Sequence, residues 1–157
     1  MLFRSYRDNG VKLFAVGGNK LTDEVQDAIE GDLERGGSNA ADQPVALVRT
    51  DRSANYVDHV AAVIAPRDLT GVTVVLDCAN GAMSEVAPRA FAALGATVIA
   101  INDEPNGRNI NEGCGAAHPE TLSEAVRLHS ADLGLAFDGD GDRVIAVDHV
   151  GNVVDGD

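Results

Sequence analysis

Residues 72–101 read VTVVLDCANGAMSEVAPRAFAALGATVIAI, and their pattern decides the fold class. Val72-Thr73-Val74-Val75-Leu76 is a run of mostly β-branched residues with no polar alternation, the signature of a strand covered on both faces. Asn80-Gly81 turns the chain. From about Ser84 to Leu94, Val86, Ala90, Phe91 and Leu94 recur at helical spacing, and Gly95 suits the C-terminal cap. Thr97 to Ile101 is a second strand. A strand, a helix and a strand in close succession make the repeating unit of a parallel sheet.

Working outward, Asn102 to Ala117 has neither period and reads as a long irregular loop, a kind of segment that is usually functional or mobile. Pro119 opens a helix with Leu122, Ala125, Val126 and Leu128 as its expected apolar stripe. Leu133 to Phe137 is a third strand. Val144 to Val147 is a fourth, close enough to the third for a hairpin-like edge and ending in a turn at His149-Val150-Gly151-Asn152. Upstream, Thr22 can cap a helix running to about Glu34, with Val25, Ala28, Ile29 and Leu33 on one face. Gly36 to Asn39 is a loop, and Val45 to Arg49 a short strand. Ser53 opens a helix with Tyr56, Val57, Val60, Val63 and Ile64 on one face, stopped by Pro66. The expected architecture is α/β, a mixed and mostly parallel sheet with flanking helices. Residues 53–157 form that unit, and residues 1–52 are an incomplete piece of a preceding α/β domain.

The 157 residues are 45% apolar and 24% charged, a globular composition. Twelve Lys and Arg against 25 Asp and Glu give a net charge of −13, which argues against nucleic acid and anionic membrane as partners. No apolar run approaches the ~20 residues of a membrane span, and the start shows no signal-peptide core. Cys78 and Cys114 alone make neither a disulfide framework nor a zinc site, so a reducing cytoplasm is the expected compartment.

The strongest chemical signal is Phe137-Asp138-Gly139-Asp140-Gly141-Asp142-Arg143. Three carboxylates alternate with two glycines just after a strand, where α/β proteins place ligands. Converged unit charges ~4 Å apart repel by roughly 4 kcal/mol at an effective dielectric of ~20, so the triple asks for a cation. All-oxygen ligands favour Mg²⁺, then Mn²⁺ or Ca²⁺, over zinc, and three ligands leave positions open for a phosphate oxygen. Arg143 is placed to contact that phosphate. A calcium-binding EF-hand loop is rejected: counted from Asp138, its required Gly and Glu positions hold Arg143 and His149. An acidic surface turn without metal and a haloacid-dehalogenase-type aspartyl nucleophile are the weaker readings of the same residues.

Gly134-Leu135-Ala136-Phe137 continuing into Asp138-Gly139-Asp140-Gly141-Asp142-Arg143 resembles the metal-binding loop of the α-D-phosphohexomutases. Leu76-Asp77-Cys78-Ala79-Asn80-Gly81-Ala82 resembles the first strand and turn of that family's second domain. Glu104 to Asn111, with Cys114-Gly115 and His118-Pro119, resembles the branch acting on glucosamine phosphate, and Asp148-His149, Gly151-Asn152 and Val154 to Asp157 continue the match. The resemblance runs from about Tyr6 to Asp157. It implies interconversion of glucosamine 6-phosphate and glucosamine 1-phosphate through a phosphoserine enzyme and a bisphosphorylated sugar, a step toward UDP-N-acetylglucosamine and bacterial cell wall. It also implies Mg²⁺ held by Asp138, Asp140, Asp142 and the phosphoserine, with Arg143 beside the phosphoryl group and a phosphosugar as the partner. Lys12 matches the family's N-G-x-K lysine, which makes it a candidate for proton transfer or phosphate contact.

The chain departs from that family at its start. Tyr6-Arg7-Asp8-Asn9-Gly10 matches the end of the phosphoserine motif S-H-N-P-Y-x-D-N-G, but Leu2 stands at the serine and Phe3 at the histidine, and Ser5 is three positions off. The expectation is a fragment holding the end of domain one and most of domain two, inactive alone, with apolar surface left exposed on the Thr22 helix. A phosphomannomutase or phosphoglucomutase fragment and a non-catalytic cation-binding module are the alternatives. His118 is read as a helix-start residue, His59 and His129 as structural or solvated, and Asp77 and Asn80 as residues that shape a turn. Cys78 and Cys114 are given no role.

Overall fold

A computed structural model of the protein describes residues 6–7, 13–36 and 51–154, and the chain divides into two units, one within residues 10–50 and one carrying the rest. In the first unit, Phe14 and Lys20 bridge antiparallel around a turn whose Gly17 and Gly18 both adopt positive φ. Helix α1 (Asp23–Glu34) follows, with Thr22 at its N-cap. The Thr22 side chain makes no capping bond to the backbone. Its hydroxyl instead hydrogen-bonds the Glu24 carboxylate and holds that group below its ordinary pKa. None of the α1 side chains is buried within this unit, and Val25 and Leu33 are exposed. The strand expected at Val45 to Arg49 lies outside the described residues.

The second unit opens with helix α2 (Ser53–Ile64), whose Ser53 N–H is capped by the Asp51 carboxylate at 2.8 Å. Strand β1 (Thr73–Asp77), helix α3 (Met83–Ala93) and strand β2 (Thr97–Ile101) come next, followed by helix α4 (Pro119–His129) and strand β3 (Leu133–Phe137). Strands β4 (Val144–Asp148) and β5 (Val153–Val154) complete a five-stranded sheet of order β2-β1-β3-β4-β5. β1 pairs in parallel with β2 and β3, while β3–β4 and β4–β5 are antiparallel. The architecture is therefore the mixed sheet with flanking helices that the sequence pattern predicts. The short β5 goes beyond that pattern. It forms because Asp148 accepts backbone bonds from Val150 and Asn152 at 3.0 and 2.8 Å, which folds the chain back on itself.

β1 is an interior strand, buried on both faces because its side chains alternate between two cores. Val74 and Leu76 pack with Ala87 and the partly buried Met83 and Phe91 on the α3 side. Val75 packs with Leu122, Val126, Ala136 and Val147 on the α4 side. A helix thus covers each face of the sheet, and the carboxyl ends of β1 and β3 are neighbours.

Two expected apolar stripes are drawn differently by the structure. On α4 the buried positions are Leu122, Ser123 and Val126, while Leu128 is 79% exposed. Six residues at ~100° each carry Leu128 ~240° round from Leu122, onto the solvent side. On α2 only Val57 is buried, with Tyr56, Val63 and Ile64 exposed. In this unit α2 contacts α3, and a narrow contact between helices buries little of its apolar surface. Among the described residues no helix is long and apolar enough to cross a membrane.

The α4 face of the sheet is tight at Gly134, where a β-carbon would come within 2.6 Å of Val126 Cγ2 and 2.8 Å of Leu122 Cδ1. Gly134→Ala is expected to destabilise the protein by about 1–3 kcal/mol through overpacking. An unchanged midpoint in urea denaturation would show that α4 has more room than these distances allow.

Candidate metal centre

Asp138 directly follows β3 and is buried, 3% exposed. The loop after it is closed by Gly141 N–H to Asp138 O at 3.0 Å and by reciprocal bonds between Asp138 and Arg143. Gly141 sits at φ 73°, a conformation that disfavours a side chain, and so lets the chain reverse within the loop. The reversal brings one oxygen from each of Asp138, Asp140 and Asp142 within 4.8 Å of one another. Among the described residues this is the one triple of such groups. Oxygens bound to one ion at ~2.1 Å span up to ~4.2 Å, so the three groups lie near the spacing one ion requires and would draw in slightly around it, and the hard, all-oxygen donor set suits Mg²⁺ or Mn²⁺.

The electrostatics point the same way. Burial pushes the Asp138 carboxyl above its ordinary pKa, and the charges of Asp140 and Asp142 push it further. The Arg143 backbone N–H, which donates to Asp138, pulls in the opposite direction. The Arg143 side chain supplies positive charge, its Nε lying 3.9 Å from Asp138 Oδ2 and 3.6 Å from Asp142 Oδ1. One guanidinium beside three carboxylates leaves a net negative pocket that a divalent cation would neutralise.

Two other loops support this one from below. The turn after β1 donates Ala82 N–H to Gly139 O at 2.9 Å. A β-carbon on Gly81 would overlap Gly139 O and lie 2.8 Å from Gly139 Cα, so the two backbones touch. The segment after β2 reaches the same place. A β-carbon on Gly139 would meet Asn111 Nδ2 at 2.6 Å and Ile110 Cδ1 at 2.8 Å.

Residues 102–117 are irregular, yet densely bonded. Asn106 and Asn109 cross-bond one another's backbone, and the Asn109 side chain donates to Glu104 O at 3.0 Å. Asn80 accepts from Glu104 N–H at 3.2 Å and donates to Asn109 O at 3.4 Å. Gly115–Ala117 forms a 3-10 turn leading into α4.

The family pattern for phosphoglucomutase/phosphomannomutase, alpha/beta/alpha domain II, matches residues 54–151. The chain belongs to this family. It is 53% identical over 156 residues to a phosphoglucosamine mutase of Rhodococcus jostii (strain RHA1), covering 96% of this chain and 34% of that protein. It is 48% identical over 161 residues to a phosphoglucosamine mutase of Psychrobacter sp. (strain PRwf-1), covering 97% of this chain and 36% of that protein. The chain thus spans about a third of the length of these curated relatives. Among solved structures, a phosphoglucomutase/phosphomannomutase family protein from Burkholderia thailandensis superposes with a TM-score of 0.64 at 26% identity. That match covers 85% of this chain and 29% of the other.

Within this phosphohexomutase domain, Asp138, Asp140, Asp142 and Arg143 come together on one loop. Lys12, Leu2, Phe3 and Ser5 lie outside the described residues. His118 stands exposed at the N-cap of α4, and His59 and His129 are exposed on helices. Asp77 and Asn80 do more than shape a turn, because each fastens the segment after β2 to the end of β1. Cys114, expected on a mobile loop, is buried. Burial raises its thiol pKa and pushes that of Cys78 up to about 12. Both thiols are therefore expected to react slowly with a disulfide reagent at pH 8 and quickly after denaturation. Rapid labelling of the native protein would contradict this packing.

Proposed function

We propose that this chain forms the cation-holding domain of a phosphosugar mutase that interconverts glucosamine 6-phosphate and glucosamine 1-phosphate. The observation that carries the reading is the convergence of Asp138, Asp140 and Asp142 beside Arg143, at the carboxyl ends of β1 and β3. The choice of sugar rests on relatives of about 50% identity that are named phosphoglucosamine mutases. Phosphoryl transfer needs positioning and charge neutralisation more than covalent help, and a bound Mg²⁺ supplies the latter.

The chain's own residues do the rest. Asp138 is held by the backbone of its own loop and presents an oriented oxygen. Asp140 and Asp142 are exposed and close the set from the solvent side. Arg143 offers a planar donor array to a phosphate oxygen next to them. Lys12 is proposed, from its N-G-x-K spacing, as a phosphate contact or proton-transfer group. Leucine at position 2 offers no nucleophilic oxygen, so this chain alone is proposed not to turn over its sugar.

Calorimetric titration with Mn²⁺ tests the cation site. Asp140→Ala is expected to weaken binding by at least about tenfold, since removing a ligand should cost no less than removing an outer partner. Equal affinity in the variant would sink the assignment. In a coupled assay for glucosamine 1-phosphate the 157-residue chain is expected to stay at background, and turnover well above background would contradict the proposed inactivity.

A further inference from the structure

We propose that Asp77 is a positioning residue for the cation site, setting the place of the Asp138–Asp142 loop without touching the ion. The inference rests on the cation reading above.

Asp77 ends β1 and is completely buried, and none of the salt bridges among the described residues involves it. Its Oδ1 accepts from Ala79 N–H at 3.0 Å, and its Oδ2 accepts from Gly115 N–H at 2.9 Å. A buried carboxylate is costly unless such donors satisfy it, and satisfied ones fix geometry tightly. One bond holds the turn after β1, while the other reaches 38 positions along the chain to the end of the segment after β2.

Both anchored residues then bear on the neighbourhood of the cation loop. A β-carbon on Gly115 would lie 2.5 Å from Phe137 O and 2.6 Å from Ala79 Cβ, so Gly115 is wedged against the residue preceding Asp138. Ala79 O accepts Asn111 N–H at 2.9 Å, and Asn111 with Ile110 forms the floor under Gly139. Asp77 thus controls two supports of one loop, at Phe137 and at Gly139.

The test compares Asp77→Asn with the wild-type chain by Mn²⁺ affinity, read from the electron paramagnetic resonance of free Mn²⁺, alongside thermal unfolding. Asparagine keeps one acceptor oxygen and turns an NH₂ toward the other N–H, so one support is lost with little change in volume. The expected result is retained cooperative unfolding with Mn²⁺ affinity weakened about tenfold. Wild-type binding matched by the variant, whatever its unfolding temperature, would overturn the positioning role and leave the cation site standing. Absence of binding by the wild-type chain would overturn the cation reading and this inference with it. A second measurement needs no variant: in a Mg²⁺ titration of the wild-type chain followed by amide resonances, Gly115 and Ala79 are expected to shift together with Gly139 and Gly141. Shifts confined to residues 138–143 would overturn the coupling.

Discussion

The contact on which the site depends is between two stretches of bare backbone. Gly81, in the turn after β1, lies so close to Gly139 that no side chain fits between them, and Ala82 N–H locks the pair by donating to Gly139 O. The path of the acidic loop is therefore fixed from outside as well as by its own bonds. Glycine matters here because a β-carbon is missing. At Gly141 it matters because φ is 73°, and Met83 fills the space that a side chain would take. One carboxylate loop is thereby braced by residues from two other segments, one following β1 and one following β2 of the same sheet.

This bracing explains how three like charges are kept together. Asp138 is buried, carries the burden of desolvation and feels Asp140 and Asp142 beside it, and its carboxyl is raised accordingly. A loop free to move would relieve the repulsion by spreading. The contacts with Gly81, Ile110 and Asn111 limit that relief, and the remaining repulsion is what a bound divalent cation would remove. A chain with a net charge of −13 adds a long-range field of the same sign, which favours cation capture.

Much of the fold was legible in the sequence because its signals are local. The β-branched run at β1, the helical period at α3 and the Asp-Gly alternation after β3 each need only a few consecutive residues. The gathering of three carboxylates on one loop was legible for the same reason. Features that depend on distant partners were not. Asp77 reads as a turn residue until Gly115 is brought to it, and Asn80 until Glu104 and Asn109 are. Residues 102–117 have no period, so the asparagine bonds that order them leave no regular trace. Leu128 was misplaced by composition: it is apolar and adjacent to the stripe in sequence, but it lies on the opposite side of α4. The exposed Tyr56 and Val63 likewise show that an apolar helix face does not itself establish what covers it.

The central claim is that Asp138, Asp140 and Asp142 together hold one divalent cation. The most direct test is a crystal of the 157-residue chain grown or soaked with Mn²⁺, with anomalous scattering recorded near the manganese edge. The account predicts a single strong anomalous peak bonded to an oxygen of each of these three aspartates, with Gly139 still seated against Gly81. An ordered loop in the same position without a peak between the carboxylates, or a peak held elsewhere on the chain, would contradict it.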